Sequence, residues 1–131
     1  NNPILFLLFF IILGFIIFNE FKSFTQKFKN ISPQDAVFLI NKEAFILDVR
    51  ESSELSQGII KNSKHINFSS VKTSLDSIKK YNNKPTIVYC KSGARSASIC
   101  NILTKNDFEE VYSLKGGFDA WISDNLPISK N

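Results

Sequence analysis

Residues 85–103, PTIVYCKSGARSASICNIL, contain a strand, a turn and the start of a helix in one continuous run. Residues 86–89 are β-branched or aromatic and lie between a polar segment and a glycine-containing turn, which predicts a buried strand. From Ser96 onward the apolar residues recur at helical spacing. Cys90 therefore lies where the strand ends, and in open α/β folds this is the place where ligands bind.

The predicted turn between this strand and helix favours an anion. The first backbone N–H groups of a helix have no carbonyl partner, and the helix dipole places positive charge at the same end. A cysteine beside such a terminus, with cations such as Lys91 and Arg95 nearby, is drawn toward its thiolate form. We therefore predict that Cys90 is a reactive thiolate. The alternative for a lone cysteine after an apolar strand is a buried, unreactive side chain.

The spacing of Cys90 and Arg95 resembles the active-site loop of the rhodanese-like family, in which a cysteine is followed by four residues, an arginine and usually a serine. The resemblance implies that Cys90 is catalytic and carries a persulfide. It also implies a substrate-binding loop made of Lys91, Ser92, Gly93, Ala94, Arg95 and Ser96. Related phosphatases on the same fold have five residues between the cysteine and the arginine, so the loop length favours sulfur chemistry.

A second match to the family lies at the end of the apolar strand predicted over residues 44–50. Asp48, Arg50, Glu51 and Glu54 reproduce the family signature Asp-Val-Arg-Glu-x-x-Glu. The resemblance implies that Asp48 and Arg50 support the catalytic loop; the alternative is that they are solvated charges at a strand end. Arg50 and Glu54 also have the spacing of an ion pair on a helix.

The chain departs from the family near residue 59. Ile59 stands where the family commonly has a histidine, and the proline and glycine that usually follow are missing. We interpret the only histidine, His65, as a structural residue of a short strand, because no ligand cluster or base partner accompanies it. A Gly-Gly-x-x-x-Trp element, Gly116 to Trp121, resembles the end of the family domain. It predicts a close turn beside the catalytic loop and a core tryptophan.

Strands that alternate with short helices predict an α/β domain, with a mainly parallel central sheet flanked by helices. Rhodanese-like domains have this architecture, and the resemblance covers about residues 31–127. Ser32 and Pro33 have the residue types of a helix start. Apolar spacing predicts another helix over residues 71–80, and residues 111–114 read as the last strand.

The composition limits the possible partners. The chain has 131 residues, a net charge of +4 and basic residues that are scattered, so we expect no nucleic-acid partner. Two cysteines and one histidine make neither a disulfide framework nor a metal site, and no cofactor is expected. We interpret Cys100 as a buried core thiol; the alternative is that it resolves a Cys90 persulfide as a disulfide.

Residues 3–18 are apolar and uncharged. As a helix they would span roughly 24 Å, slightly less than the membrane core of about 30 Å. A core helix is the alternative, but it would have a polar face. The predicted organisation is a transmembrane anchor over residues 1–20, a juxtamembrane linker over 21–30 and a rhodanese-like domain over 31–131.

The resemblance implies a sulfurtransferase. Cys90 would take a sulfane sulfur from thiosulfate, polysulfide or a protein persulfide and pass it to a thiophilic acceptor such as a thiol. The alternatives are a catalytically weak, membrane-anchored recruitment module and phosphatase or arsenate chemistry. Lys22, Lys27 and Lys29 follow the apolar segment and none precedes it, so we expect a single-pass protein whose domain faces the cytoplasm.

Overall fold

The structure is a computed structural model that describes residues 2–25 and 28–130, without the side chains of residues 20–25. The helices are α1 (Pro3–Thr25), α2 (Pro33–Ile40), α3 (Ala94–Lys105) and α4 (Gly117–Ser123). The strands are β1 (Lys29–Ile31), β2 (Phe45–Asp48), β3 (Lys64–His65), β4 (Thr86–Tyr89) and β5 (Val111–Leu114).

The five strands form one sheet in the order β1-β5-β4-β2-β3, and every neighbouring pair is parallel. This confirms the predicted α/β class and the parallel central sheet. Because the strands are parallel, their carboxyl ends meet at one edge of the sheet, and residues from β2, β4 and β5 come together there.

Side chains of the central strands alternate between the two faces of the sheet. Toward α3, Leu47 and Val88 pack in a cluster with Ile99 and Leu103. The other face packs against α2 and α4 through a second cluster, which includes Ile46, Ile87, Ala36, Phe118 and Trp121. The sheet is therefore covered on both faces, and Trp121 lies in the core as predicted.

Both predicted helix starts next to the sheet are present. The hydroxyl of Ser32 accepts a hydrogen bond from the Asp35 amide at 3.1 Å, and Pro33 is the first residue of α2. Helix α3 begins at Ala94, two residues before the first position that apolar spacing indicated. Gly93 precedes it with a φ of 105°, a conformation that glycine adopts without steric cost.

The helix predicted over residues 71–80 is wrong. The chain instead forms short 3-10 turns at Phe68–Ser70, Leu75–Ser77 and Lys79–Tyr81. Hydroxyl groups in this region bond to nearby backbone carbonyls, as in the Ser77 to Ser74 bond of 2.6 Å, and such bonds compete with helix formation. Val71 and Ile78 are nevertheless fully buried, so the apolar spacing reported burial correctly.

The sheet includes residues that the sequence assigned to a linker over 21–30. Phe28 is buried in the core cluster beneath α3, and Lys29 and Asn30 belong to β1, which pairs with β5. A three-residue edge strand has too short a pattern to be recognised from alternation alone. The folded domain therefore begins before residue 31.

Helix α1 carries large apolar side chains from Ile4 to Phe18, each 40% to 67% exposed. In the part of the chain that the structure describes, no helix has the length and apolar character needed to cross a membrane. The transmembrane anchor predicted over residues 1–20 is thus not supported, since the apolar run ends at Phe18 and a span needs about 20 such residues. Lys27 and the side chain of Lys22 lie outside the described residues, so the orientation inferred from them stays a prediction.

Candidate active site

Cys90 directly follows β4, and its residue is 1% exposed. Its sulfur accepts hydrogen bonds from two backbone amides, that of Gly93 at 3.0 Å and that of Ser96 at 3.4 Å. The second amide belongs to the first turn of α3, whose dipole also favours negative charge. The fold therefore places the sulfur where an anion is stabilised by amides that no carbonyl occupies.

The loop contributes to this site mainly through its backbone. Lys91, Ser92 and Ala94 are exposed, whereas Ser96 is buried. The Ser96 hydroxyl donates to the Gly93 carbonyl at 3.0 Å and so closes the turn around the sulfur. Of the predicted loop residues, Gly93 and Ser96 thus contact Cys90 directly.

Arg95 is bound by a residue that lies far away in the sequence. Its Nη2 donates to both carboxylate oxygens of Glu54, each at 3.2 Å. The hydrogen bond to Glu54 is the main reason why the pKa of Arg95 is raised. The sequence had paired Glu54 with Arg50; that pairing is wrong, because Arg50 donates to the backbone carbonyl of Glu54 at 3.3 Å.

Asp48 and Arg50 form a buried ion pair of 2.8 Å, and their side chains are 0% and 1% exposed. The guanidinium also donates to the Gly58 carbonyl at 2.8 Å and lies 4.1 Å from the centre of the Phe118 ring. The alternative of solvated charges is therefore wrong. In the part of the chain that the structure describes, neither side chain forms a hydrogen bond or ion pair with Cys90. Arg50 instead binds backbone carbonyls of the segment between residues 51 and 58, which carries Glu54.

Tyr89 completes this buried polar group on the face opposite Cys90. Its hydroxyl donates to Asp48 at 2.8 Å and accepts from the Ile60 amide at 3.2 Å. Burial raises the pKa of Tyr89, so the phenol remains a neutral donor to the Asp48 carboxylate. The sequence placed Tyr89 only in an apolar strand and did not predict this role.

His65 and Ile59 occupy structural positions. His65 lies in β3, as predicted, and its Nε2 is 2.7 Å from the Arg50 carbonyl oxygen. Ile59, at the position where the family commonly has histidine, pairs with Ser129 through two backbone hydrogen bonds of 2.8 Å. His65 thus binds the backbone at Arg50, and Ile59 binds the backbone at Ser129.

Helix α4 binds the start of the loop formed by residues 90–96, which is called the catalytic loop here because of the family resemblance. The Phe118 amide donates to the Cys90 carbonyl at 2.8 Å, and the Asp119 amide donates to the Lys91 carbonyl at 3.0 Å. Gly117 allows this approach, since a Cβ atom there would lie 2.5 Å from the Cys90 oxygen. The close turn predicted from the two glycines is confirmed.

Cys100 lies behind the loop on α3 and is fully buried, as predicted. Both cysteines are free thiols. Burial raises the pKa of the Cys100 thiol, which therefore stays protonated. A protonated, buried thiol is a poor nucleophile, which argues against a resolving role.

The geometry agrees with comparisons to known proteins. Residues 32–124 match the model of the rhodanese-like domain. The chain is 35% identical over 130 residues to the "Uncharacterized protein YibN" of Escherichia coli (strain K12), covering 98% of this chain and 91% of that protein. It is 33% identical over 105 residues to thiosulfate sulfurtransferase GlpE of Glaesserella parasuis serovar 5 (strain SH0165), covering 79% and 94%.

Among solved structures, the polysulfide-sulfur transferase homodimer from Wolinella succinogenes superposes with a TM-score of 0.69 and 29% identity, covering 88% of each chain. The match to the family model includes the whole segment from α2 to α4. The chain therefore belongs to the rhodanese-like domain family.

Proposed function

We propose that this protein is a sulfurtransferase that carries a sulfane sulfur on Cys90. The Cys90 thiolate attacks the outer sulfur of a donor such as thiosulfate. A bond forms between Sγ and that sulfur, the sulfur–sulfur bond of the donor breaks, and sulfite leaves with the bonding electron pair. The product is a Cys90 persulfide anion.

The second half of the cycle returns the enzyme to its starting state. An acceptor thiolate or cyanide attacks the outer sulfur of the persulfide. A bond forms between the acceptor and that sulfur, the bond to Sγ breaks, and Cys90 leaves as a thiolate. Negative charge thus stays on sulfur next to the Gly93 and Ser96 amides throughout. Amides that are fixed before the reaction stabilise such charge without reorganisation.

The observation that carries the proposal is the pair of amide hydrogen bonds to the Cys90 sulfur, within a loop that has four residues between cysteine and arginine. The relatives GlpE and the Wolinella protein are named as thiosulfate and polysulfide sulfurtransferases, which supports the same reaction type here. The donor is thiosulfate, a polysulfide or a protein persulfide, and the acceptor is a thiol.

Mass spectrometry of the intact protein tests this proposal. Incubation with a sulfane donor should add one sulfur atom to the wild type and to Cys100→Ser, and dithiothreitol should remove it. Cys90→Ser should gain no sulfur. An adduct that persists in Cys90→Ser, or the absence of any adduct on the wild type, would contradict the proposal. The second outcome would favour a recruitment module.

We also propose that the protein works at a membrane, with its domain on the cytoplasmic side. The support is the row of exposed apolar side chains on α1, because contiguous apolar surface of this kind usually marks an interaction site. Fractionation of cells should place the full chain with membranes after a high-salt wash. Protease added outside intact cells should leave the domain whole, and its digestion there would overturn the orientation.

A further inference from the structure

The only arginine of the catalytic loop, Arg95, does not present a free positive charge. Its guanidinium is held by both carboxylate oxygens of Glu54, and the two side chains are 30% and 23% exposed. The negative charges of Cys90 and Glu51 also raise the pKa of Arg95. A donor that enters the site therefore meets a cation that is already neutralised.

The remaining charges around Cys90 do not restore a positive site. Asp48 and Arg50 neutralise each other in the interior. Lys91 is exposed, and within the described part of the chain it forms no ion pair. The two carboxylates, Glu51 and Glu54, thus balance the two cations, Lys91 and Arg95, so these side chains offer a donor no net positive charge.

We infer that Glu54 sets the donor specificity: by neutralising Arg95 it disfavours doubly charged donors, and the site prefers sulfane donors that carry a single negative charge. This inference rests on the proposed sulfur transfer to Cys90. Preferred donors are then persulfide or hydrogen polysulfide anions, and thiosulfate, a dianion, is a poorer one. Repulsion between like charges in a partly screened site accounts for the difference.

A purely positioning role for Glu54 makes a different prediction. If Glu54 served only to orient Arg95, its removal would disturb every donor to the same degree, whatever the charge of the donor. If its charge matters, the effect depends on donor charge. The comparison of two donors that differ by one charge separates these two roles.

Thiosulfate and methanethiosulfonate form such a pair, because a methyl group replaces one charged oxygen. Both offer an outer sulfur to Cys90, and the leaving groups are sulfite and methanesulfinate. In each case the donor's sulfur–sulfur bond breaks, a bond to Sγ forms, and the leaving group takes the electron pair. The quantity to measure is the second-order rate constant for loading of Cys90, followed by intact mass.

Glu54→Gln should raise the thiosulfate rate constant about fivefold more than that of methanethiosulfonate, the size expected for one charge at about 8 Å and an effective dielectric constant of about 40. Glu109→Gln is the matched control, since it removes the same charge from an exposed residue just before β5, at the opposite edge of the sheet. It should change neither rate constant. In the wild type, added salt should raise the rate constant for loading from thiosulfate more than that from methanethiosulfonate. Glu54→Gln should reduce this difference.

Equal changes for both donors in Glu54→Gln would overturn the inference and leave sulfur transfer intact. A larger gain for methanethiosulfonate would overturn it as well. Failure of both donors to load wild-type Cys90 would overturn the proposed function, and the inference with it. Circular dichroism of both variants controls for folding, and a reduced rate with both donors in a folded Glu54→Gln protein assigns Glu54 a positioning role only.

Discussion

The hydroxyl oxygens of Ser96 and Ser113 lie 2.7 Å apart in the interior, between the catalytic loop and β5. Ser96 uses its only hydroxyl proton on the Gly93 carbonyl, so Ser113 must be the donor in the bond between them. Two hydroxyl hydrogen bonds thus run in one direction, from Ser113 through Ser96 to the backbone of the loop.

Ser113→Ala should loosen the catalytic loop. The substitution removes the buried hydrogen bond of 2.7 Å between the Ser113 and Ser96 hydroxyls, at a cost of about 1–3 kcal/mol. We expect a lower midpoint in urea and slower sulfur loading of Cys90. Ser98→Ala removes a hydroxyl from an exposed position on α3, the helix that carries Ser96. It is the control and should change neither property. Equal behaviour of the two variants would show that the chain of hydroxyls does not support the loop.

Gly117→Ala should impair sulfur loading severely. A Cβ at this residue would lie 2.5 Å from the Cys90 carbonyl oxygen, and its φ of 61° is strained for alanine. A shift of about 1 Å at a reacting group can cost roughly a hundredfold in rate, so we expect at least a tenfold loss. Gly14→Ala is the control and should load sulfur normally, because a Cβ at residue 14 would meet no atom within 4 Å. Normal loading by Gly117→Ala would mean that α4 does not fix the loop.

Asp48→Asn should destabilise the domain strongly. It leaves the buried Arg50 guanidinium without its counter-charge, and loss of one partner of a buried ion pair typically costs about 3–5 kcal/mol. Urea unfolding followed by tryptophan fluorescence measures the change. Asp76→Asn removes a charge from an exposed pair with Lys79 and should leave the unfolding midpoint where it is. A small effect at Asp48 would contradict the assignment of Asp48 and Arg50 as the frame of the site.

The Cys100 thiol should make the domain less stable at high pH. Its pKa is raised above the ordinary value of 9.0, so above that pH the unfolded chain loses a proton that the folded chain keeps. The contribution of this thiol to the free energy of unfolding is fully present below pH 9.0. It falls as the pH rises further, by up to about 1.4 kcal/mol per pH unit. Cys100→Ala should flatten the curve between pH 9 and 10. Parallel curves for the two proteins would contradict this account.

Local patterns in the sequence predicted the centre of this fold well. The apolar run before Cys90, the glycine-containing turn and the apolar spacing after it are short-range features, and each corresponds to an observed element, β4, the loop and α3. The Ser32 cap was equally predictable, since it depends on a bond between residues three apart. Such features are decided by neighbours in the chain.

Contacts between distant segments were not predictable in the same way. Glu54 lies 41 residues from Arg95, and local spacing offered Arg50 as a nearer partner. The donation from Phe118 to the Cys90 carbonyl likewise depends on how α4 packs on the sheet. Strand β1 was missed because its three residues gain their structure only by pairing with β5. In each case the partner is determined by tertiary packing, and local sequence patterns do not distinguish it from other possible partners.

The parallel course of β1 and β5 places the start of β1 and Cys90 at opposite edges of the sheet. Strand β1, which follows α1 in the sequence, begins at the amino edge of the sheet, while Cys90 lies at the carboxyl edge, one strand length or about 13 Å away. The Cys90 residue thus lies at the edge of the sheet opposite to the start of β1. Under the proposed function, a protein that carries a persulfide would dock at the carboxyl edge and leave the amino edge, where β1 begins, uncovered.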